Sequence, residues 1–291
     1  MEREIPHVDG VEHRIVNAGG LRMHVVEAGD PEAPPLLCVH GWPQNWFSWH
    51  ELIGPLAADR RVICPDLRGF GWTDAPPGGY DPEVFAMDIV ALLDAMHIDG
   101  PVDYMGHDWG GWTGFILALR HPERVRRLLA LAIIHPFVRP SPRAILGGWR
   151  FWYQWLLATP GLGRVTLRQT IRRNPVLLYL GANQDVWGPD ELRIYSEQFM
   201  EPQRAAATRL LYRHAAVGLQ LQLREYRQLH MDTPALMLFP ADDAVQKRIN
   251  LGGYERNAPN LEIEVVPDTS HFIVDERPEL VLERARALFA D

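Results

Sequence analysis

Along the chain, short runs of consecutive apolar residues alternate with stretches in which apolar positions return every three or four residues. The runs Leu36–His40, Arg61–Cys64, Val125–Ile134, Ala235–Phe239 and Leu261–Val266, with another ending at Met105, have the length of buried strands. Between them, Asp81–Met96 places Val84, Phe85, Ile89, Leu92 and Leu93 at helical spacing, and Trp49–Ala58 and Pro278–Phe289 predict further helices. Near the start, His13–Asn17 and Leu21–Glu27 predict two strands joined around Gly19-Gly20, a hairpin near a sheet edge. Strands alternating with helices at this density predict an α/β fold with a mostly parallel central sheet. In such a sheet the working residues gather at the carboxyl ends of the strands.

From about Pro136 the rhythm changes. Gly147–Leu157 is helical in spacing and aromatic, with Trp149, Phe151, Trp152, Tyr153 and Trp155, until Pro160, Gly161 and Gly163 break it. Arg164–Ile171, Pro175–Leu180, Asp190–Phe199 and Pro202–Tyr226 continue as helices, and no strand pattern returns before Ala235. The pattern predicts a helical insertion laid over the active end of the sheet as a lid. The chain then divides into a first core part, 1–135, a cap, 136–230, and a second core part, 231–291. No internal repeat or low-complexity segment interrupts this plan.

Three loops carry the candidate chemistry. Gly106-His107-Asp108-Trp109-Gly110-Gly111 lies between a strand and a helix, small residues on both sides of a reactive one, as in a nucleophile elbow. Its central residue is Asp108, and a carboxylate can attack an electrophilic carbon to leave a covalent ester. After Ala235–Phe239 come Asp242 and Asp243, and after Leu261–Val266 comes His271, completing the chain order nucleophile, acid, histidine. His271 is suited to act as general base, with a carboxylate on its far nitrogen to fix the tautomer. Asp243 and Asp242 both remain open for that carboxylate.

Composition narrows the function classes. The chain has 291 residues, 47% hydrophobic, with a formal charge of −8, enough for one sizeable core plus an inserted unit. The acidic balance gives no support to nucleic-acid binding. Arg124, Arg126 and Arg127 form the densest basic group and read as a solvated helix end. Cys38 and Cys64 sit in apolar surroundings at neither metal nor redox spacing, which predicts reduced buried thiols and a cytoplasmic location. The start, MEREIPHVDG, lacks the apolar core of a signal peptide, and no run reaches the 18 apolar residues of a membrane span. The His and Asp residues show no metal-ligand spacing, so no metal or cofactor is expected.

The chain resembles the α/β-hydrolase fold family over nearly its whole length, and within it looks like the epoxide hydrolases. The resemblance rests on His40-Gly41-Trp42-Pro43, on Asp66-Leu67-Arg68-Gly69-Phe70-Gly71-Trp72-Thr73-Asp74, on the Asp108 elbow, on Ser270-His271-Phe272 and on the aromatic lid. Asp108 followed by Trp109 narrows it to epoxide hydrolases and haloalkane dehalogenases. In the family the acid lies three residues after a glycine that ends its strand; here Pro240 stands at the glycine's place and Asp243 at the acid's, with Asp242 in reserve.

Two lid tyrosines hold the epoxide oxygen in the family, and Phe151-Trp152-Tyr153-Gln154-Trp155 and Leu211-Tyr212-Arg213 match their regions, which puts those roles on Tyr153 and Tyr212. Tyr179, Tyr195 and Tyr226 are the competitors. The backbone N–H groups of Trp42 and Trp109 are then expected to form the oxyanion hole. Trp42, Trp109 and Trp152 are expected to line an apolar pocket. The implied partners are a small apolar epoxide and water, for a chain acting as monomer or homodimer, with neither nucleic acid nor membrane. A haloalkane dehalogenase with the same Asp108 and His271 is the alternative, and a ligand-binding protein without catalysis the more distant one.

Overall fold

The consecutive apolar runs form the centre of one sheet, because a strand apolar on both faces is stable only where both faces are covered. The computed structural model describes residues 3–139, 147–169, 173–182, 186–245 and 251–290. Its strands are β1 (Glu12–Ala18), β2 (Leu21–Ala28), β3 (Pro35–Val39), β4 (Arg61–Pro65), β5 (Val102–His107), β6 (Val125–Leu131), β7 (Ala235–Pro240) and β8 (Leu261–Val266). They lie in the order β1-β2-β4-β3-β5-β6-β7-β8. From β4 to β8 every pairing is parallel, and the β1–β2 hairpin joins antiparallel at the edge. Every residue of the central β5 is buried.

Helices α1 (His50–Leu56), α2 (Pro82–Ala95) and α3 (Trp109–Arg120) follow the early strands. Asp81 caps α2 by accepting the Glu83 N–H, Pro82 occupies its first turn, and the expected Phe85, Ile89, Leu92 and Leu93 are its buried face. Arg126 and Arg127 differ from expectation. They lie within β6, where Arg126 pairs with the fully buried Asp103 at 2.6 Å and Arg127 donates to the Ala290 carbonyl. Arg124, just before the strand, donates to the Ile98 carbonyl. Arg124 alone ends a helical turn, the 3-10 turn Pro122–Arg124, and the group ties the start of β6 to its neighbours. Cys38 on β3 and Cys64 on β4 are free and buried.

Between β6 and β7 the described residues are helical: α4 (Trp152–Ala158), α5 (Leu162–Leu167), α6 (Pro175–Leu180), α7 (Pro189–Glu197), α8 (Pro202–Val217) and α9 (Leu219–Tyr226). Gly147–Phe151 enters α4 as a tighter 3-10 turn. The single helix expected over Pro202–Tyr226 breaks at Gly218, the residue of lowest helical propensity in that stretch after its opening proline. The Arg164–Ile171 helix ends at Leu167, and its last two expected residues lie outside the described residues. Past β8 the chain adds a short α10 (Ile273–Glu276), absent from the expectation, before α11 (Pro278–Phe289). No helix among the described residues is long and apolar enough to cross a membrane.

The loop after β4 is built around Asp66, which is fully buried. Its Oδ1 accepts the Trp46 N–H at 2.8 Å, and its Oδ2 accepts the Trp72 N–H at 2.9 Å and pairs with His24 Nδ1 at 2.8 Å. Burial pushes the carboxyl pKa up, but His24 and these donors outweigh it and hold the group below its ordinary value. At Gly71 a Cβ would stand 2.0 Å from the Asp66 carboxyl, so a side chain there would evict the staple. Asp66→Ala should therefore destabilise the protein by about 4 kcal/mol, since it orphans three buried donors at once. Urea unfolding of the variant beside the parent measures this.

Candidate active site

The β5–α3 turn puts Asp108 at φ 50°, ψ −116°, a conformation that non-glycine residues rarely adopt. The Asp108 N–H donates to the Leu131 carbonyl at 2.9 Å, which ties the turn to β6. The flanking glycines serve closeness rather than unusual dihedrals. A Cβ on Gly110 would lie 2.0 Å from the Val39 carbonyl, and one on Gly106 would lie 2.5 Å from the backbone of Gly110. The carboxylate thus stands at the carboxyl ends of β3 and β5. Its Oδ1 accepts the Trp42 N–H at 2.9 Å, and Gly41 leaves the space for that approach.

His271 sits between two carboxylates, its Nε2 at 3.5 Å from Asp108 Oδ2 and its Nδ1 at 2.8 Å from Asp243 Oδ2. Asp243 is fully buried, and its Oδ1 accepts the Val245 N–H at 2.7 Å. Asp242 is exposed, and its backbone N–H donates to the Thr269 carbonyl at 3.0 Å, joining the acid loop to the histidine loop. Pro240 closes β7 without displacing the loop, so Asp243 alone of the pair reaches the ring. Burial opposes the imidazolium, but the Asp243 and Asp108 carboxylates win and raise His271 to about 10.

Two further buried histidines beside the site, His40 and His107, are neutral props. His40 Nδ1–H donates to the Gly41 carbonyl, and its Nε2 accepts the Leu67 N–H at 3.0 Å. His107 Nε2–H donates to the His271 carbonyl at 2.8 Å, and burial with the nearby His271 takes its pKa down to about 4. Arg68 clamps Asp88 through two 2.6 Å bonds.

Tyr153 on α4 and Tyr212 on α8 meet edge to face with centroids 5.6 Å apart, and both are buried. Burial raises both phenol pKa values, and the Asp108 charge adds to each rise, so the hydroxyls stay protonated donors. The competitors are turned elsewhere. Tyr179 donates to the Ala244 carbonyl, Tyr226 donates to Glu83, and Tyr195 packs on Trp187. Trp109 lies edge to face with the Tyr212 ring, centroids 6.2 Å apart. Trp152 departs from expectation: 37% exposed, it packs its ring on Tyr179. One helical position is about 100° of rotation, so burying Tyr153 turns its neighbour outward.

Sequence patterns gave no sign of Gln198 or Thr208. Buried Thr208 accepts the Trp42 Nε1–H at 3.2 Å, and buried Gln198 donates to the Pro43 carbonyl at 2.6 Å. Only the four-residue spacing of Thr208 and Tyr212 on one helix could have hinted at the first. Among the described residues no group of three or more His, Cys, Asp or Glu is disposed to hold a metal ion.

Known proteins share this fold over most of the chain. A family model described as the alpha/beta hydrolase fold matches residues 34–278. A protein described as a soluble epoxide hydrolase from Corynebacterium sp. (strain C12) is 28% identical over 96% of this chain and 98% of its own. The AB hydrolase superfamily protein YfhM of Bacillus subtilis is 28% identical over 94% and 96%. Among solved structures, an epoxide hydrolase from Vigna radiata superposes with a TM-score of 0.81 at 26% identity, over 97% of this chain and 98% of that one.

The charge balance around His271 has a direct readout. Removing the Asp108 charge removes one support of the imidazolium, so in Asp108→Asn the ring should titrate well below the parent's midpoint of about 10. Histidine-selective NMR against pH checks the shift; equal midpoints in the two proteins would contradict it.

Proposed function

The chain belongs to the alpha/beta hydrolase fold family, and we propose on that footing that it is an epoxide hydrolase, adding water to an apolar epoxide to give a vicinal diol. It needs no cofactor. The observation that carries this is the pair of protonated phenols, Tyr153 and Tyr212, buried above Asp108 where the lid meets the sheet. A strained epoxide oxygen leaves as an alkoxide and requires donors that can yield a proton, whereas a departing halide does not. The Trp42 indole, a donor that a halide would use, is engaged with Thr208 on the cap, and the Trp109 ring packs edge-on to Tyr212. These contacts favour the epoxide over the haloalkane.

In this mechanism Asp108 Oδ2 attacks one epoxide carbon while Tyr153 and Tyr212 bond the ring oxygen. The C–O bond breaks, the oxygen takes a proton from one of the two phenols, and a hydroxyalkyl ester forms on Asp108. Esterification neutralises one of the two carboxylates supporting the His271 imidazolium, so the ring gives up its proton, which passes through water to the phenolate and restores the phenol, and His271 is left neutral and able to act as a base. His271, oriented by Asp243, then deprotonates a water that adds to the ester carbonyl. The oxyanion forms on Oδ1, to which the Trp42 N–H already donates; the second donor in this reading is the Trp109 N–H, in the first turn of α3, where N–H groups have no intrahelical acceptor. Collapse of this intermediate releases the diol and leaves Asp108 with one oxygen from water. The pocket walls expected here are Trp42 and Trp109. The inserted helices, taken as 136–230, act as the cap, and the buried thiols of Cys38 and Cys64 suit a reducing compartment such as the cytoplasm.

Turnover of styrene oxide to its diol, with no halide release from bromoalkanes, tests the activity. His271→Gln should still be alkylated but fail to hydrolyse the ester, so intact-mass spectrometry should find an adduct on Asp108. Tyr153→Phe and Tyr212→Phe should each slow alkylation by roughly 10² to 10³, as for an oxyanion donor worth about 2–4 kcal/mol. Single-turnover quenching beside thermal melts separates that loss from a packing defect. Alkylation at the parent rate in both variants would return the assignment to the dehalogenase reading.

A further inference from the structure

The loop that carries the proposed oxyanion donor is held from two sides. On the core side, the Gly41 carbonyl accepts from His40 and from the Gln44 N–H, and the Trp42 N–H donates to Asp108. On the cap side, the Trp42 indole donates to Thr208, and the Pro43 carbonyl accepts from Gln198. Gln198 also accepts the Gly71 N–H at 3.0 Å, so its side-chain amide is fixed by two core loops at once. Thr208 and Tyr212 are one turn apart on α8, both buried, and the Trp42 ring stands edge-on to Tyr212 at 5.2 Å. One helical turn therefore grips the residue that holds Asp108 and also presents a phenol to the substrate.

We propose that Thr208 is a positioning residue for the oxyanion hole: by accepting the Trp42 indole N–H it aims the Trp42 backbone N–H at Asp108 Oδ1. This inference rests on the epoxide hydrolase reading above. Its signature is a split between the two half-reactions. While the epoxide opens, Oδ1 loses its share of the carboxylate charge, so its bond from Trp42 weakens and contributes nothing to that transition state. When water adds to the ester, Oδ1 gains a full charge and the same bond strengthens. An N–H aimed slightly wrong therefore slows ester hydrolysis and leaves ester formation as fast as before, or faster. A general loosening of α8 does the reverse, because it misplaces Tyr212 and slows the opening of the epoxide.

The test is single-turnover mixing of styrene oxide with excess enzyme, following the ester on Asp108 by quenched intact-mass measurement. Thr208→Val keeps the side-chain volume and removes the acceptor; its ester should decay roughly tenfold more slowly, the size of a displaced rather than deleted donor. Its rate of ester formation should equal or exceed the parent's. Thr208→Ser should restore both rates. Trp42→Phe, which keeps the backbone N–H and lacks the indole donor, should slow ester decay to the same extent, and the ester of the double variant should decay no more slowly than that of either single one. Slowed formation with normal decay in Thr208→Val, or full additivity in the double variant, overturns the proposal while leaving the hydrolase reading intact. A parent that consumes styrene oxide without ever carrying an ester overturns the hydrolase reading, and this inference with it.

Discussion

The site depends on one close approach. The β5–α3 turn is packed so tightly beneath the β3 loop that Gly110 has no room for a Cβ under the Val39 carbonyl. That packing holds Asp108 at a positive φ, a conformation costing of order 1–3 kcal/mol that persists only where the surroundings over-determine it. Here they do: the Asp108 N–H is bonded to β6, and the first turn of α3 closes on the Asp108 carbonyl through Trp112. The carboxylate therefore projects from the end of the sheet toward Trp42, His271 and the cap without any freedom to fold back. Gly41 completes the arrangement from the other strand by leaving the carboxylate its space.

The second organising feature is the alternation of charge along Asp108, His271 and Asp243. A ring between two carboxylates is held as imidazolium, so the resting site is an ion triad in which burial is offset by pairing. The covalent step breaks that balance by cancelling one carboxylate. His107 sits against this triad as a neutral ring, donating to the His271 carbonyl and adding no charge.

Much of this was legible in the sequence, for physical reasons that differ from part to part. Strands such as Ala235–Phe239 were readable because both their faces are buried, and Asp81–Met96 was readable because one helical face is. The elbow was legible because close approach demands glycine at particular places. Asp243 could not be separated from Asp242 by pattern, since the choice is made by which side chain turns inward, and the Thr269 carbonyl decides that by holding the Asp242 backbone. Trp152 was misassigned for a related reason: an aromatic run marks a helix but not its face. Short α10 was missed because four residues carry no periodicity. Thr208 and Gln198 had no motif because their partners are a side chain and a carbonyl far away in the chain.

Among the described residues the cap is fastened unevenly. Residues in and just before α8 hold the core through Gln198, through Thr208, and through Arg204, which donates to the Phe70 and Thr73 carbonyls. The region around α4 and α6 meets the core at the Ala244 carbonyl, which accepts from Arg150 and Tyr179. Adaptability follows the looser side. Redesign aimed at bulkier epoxides has its latitude along α4 and its neighbours, where pocket shape can drift without disturbing the core. Substitutions along the inner side of α8 alter the catalytic loops as well as the pocket, so selection for a new substrate would meet its steepest trade-offs there.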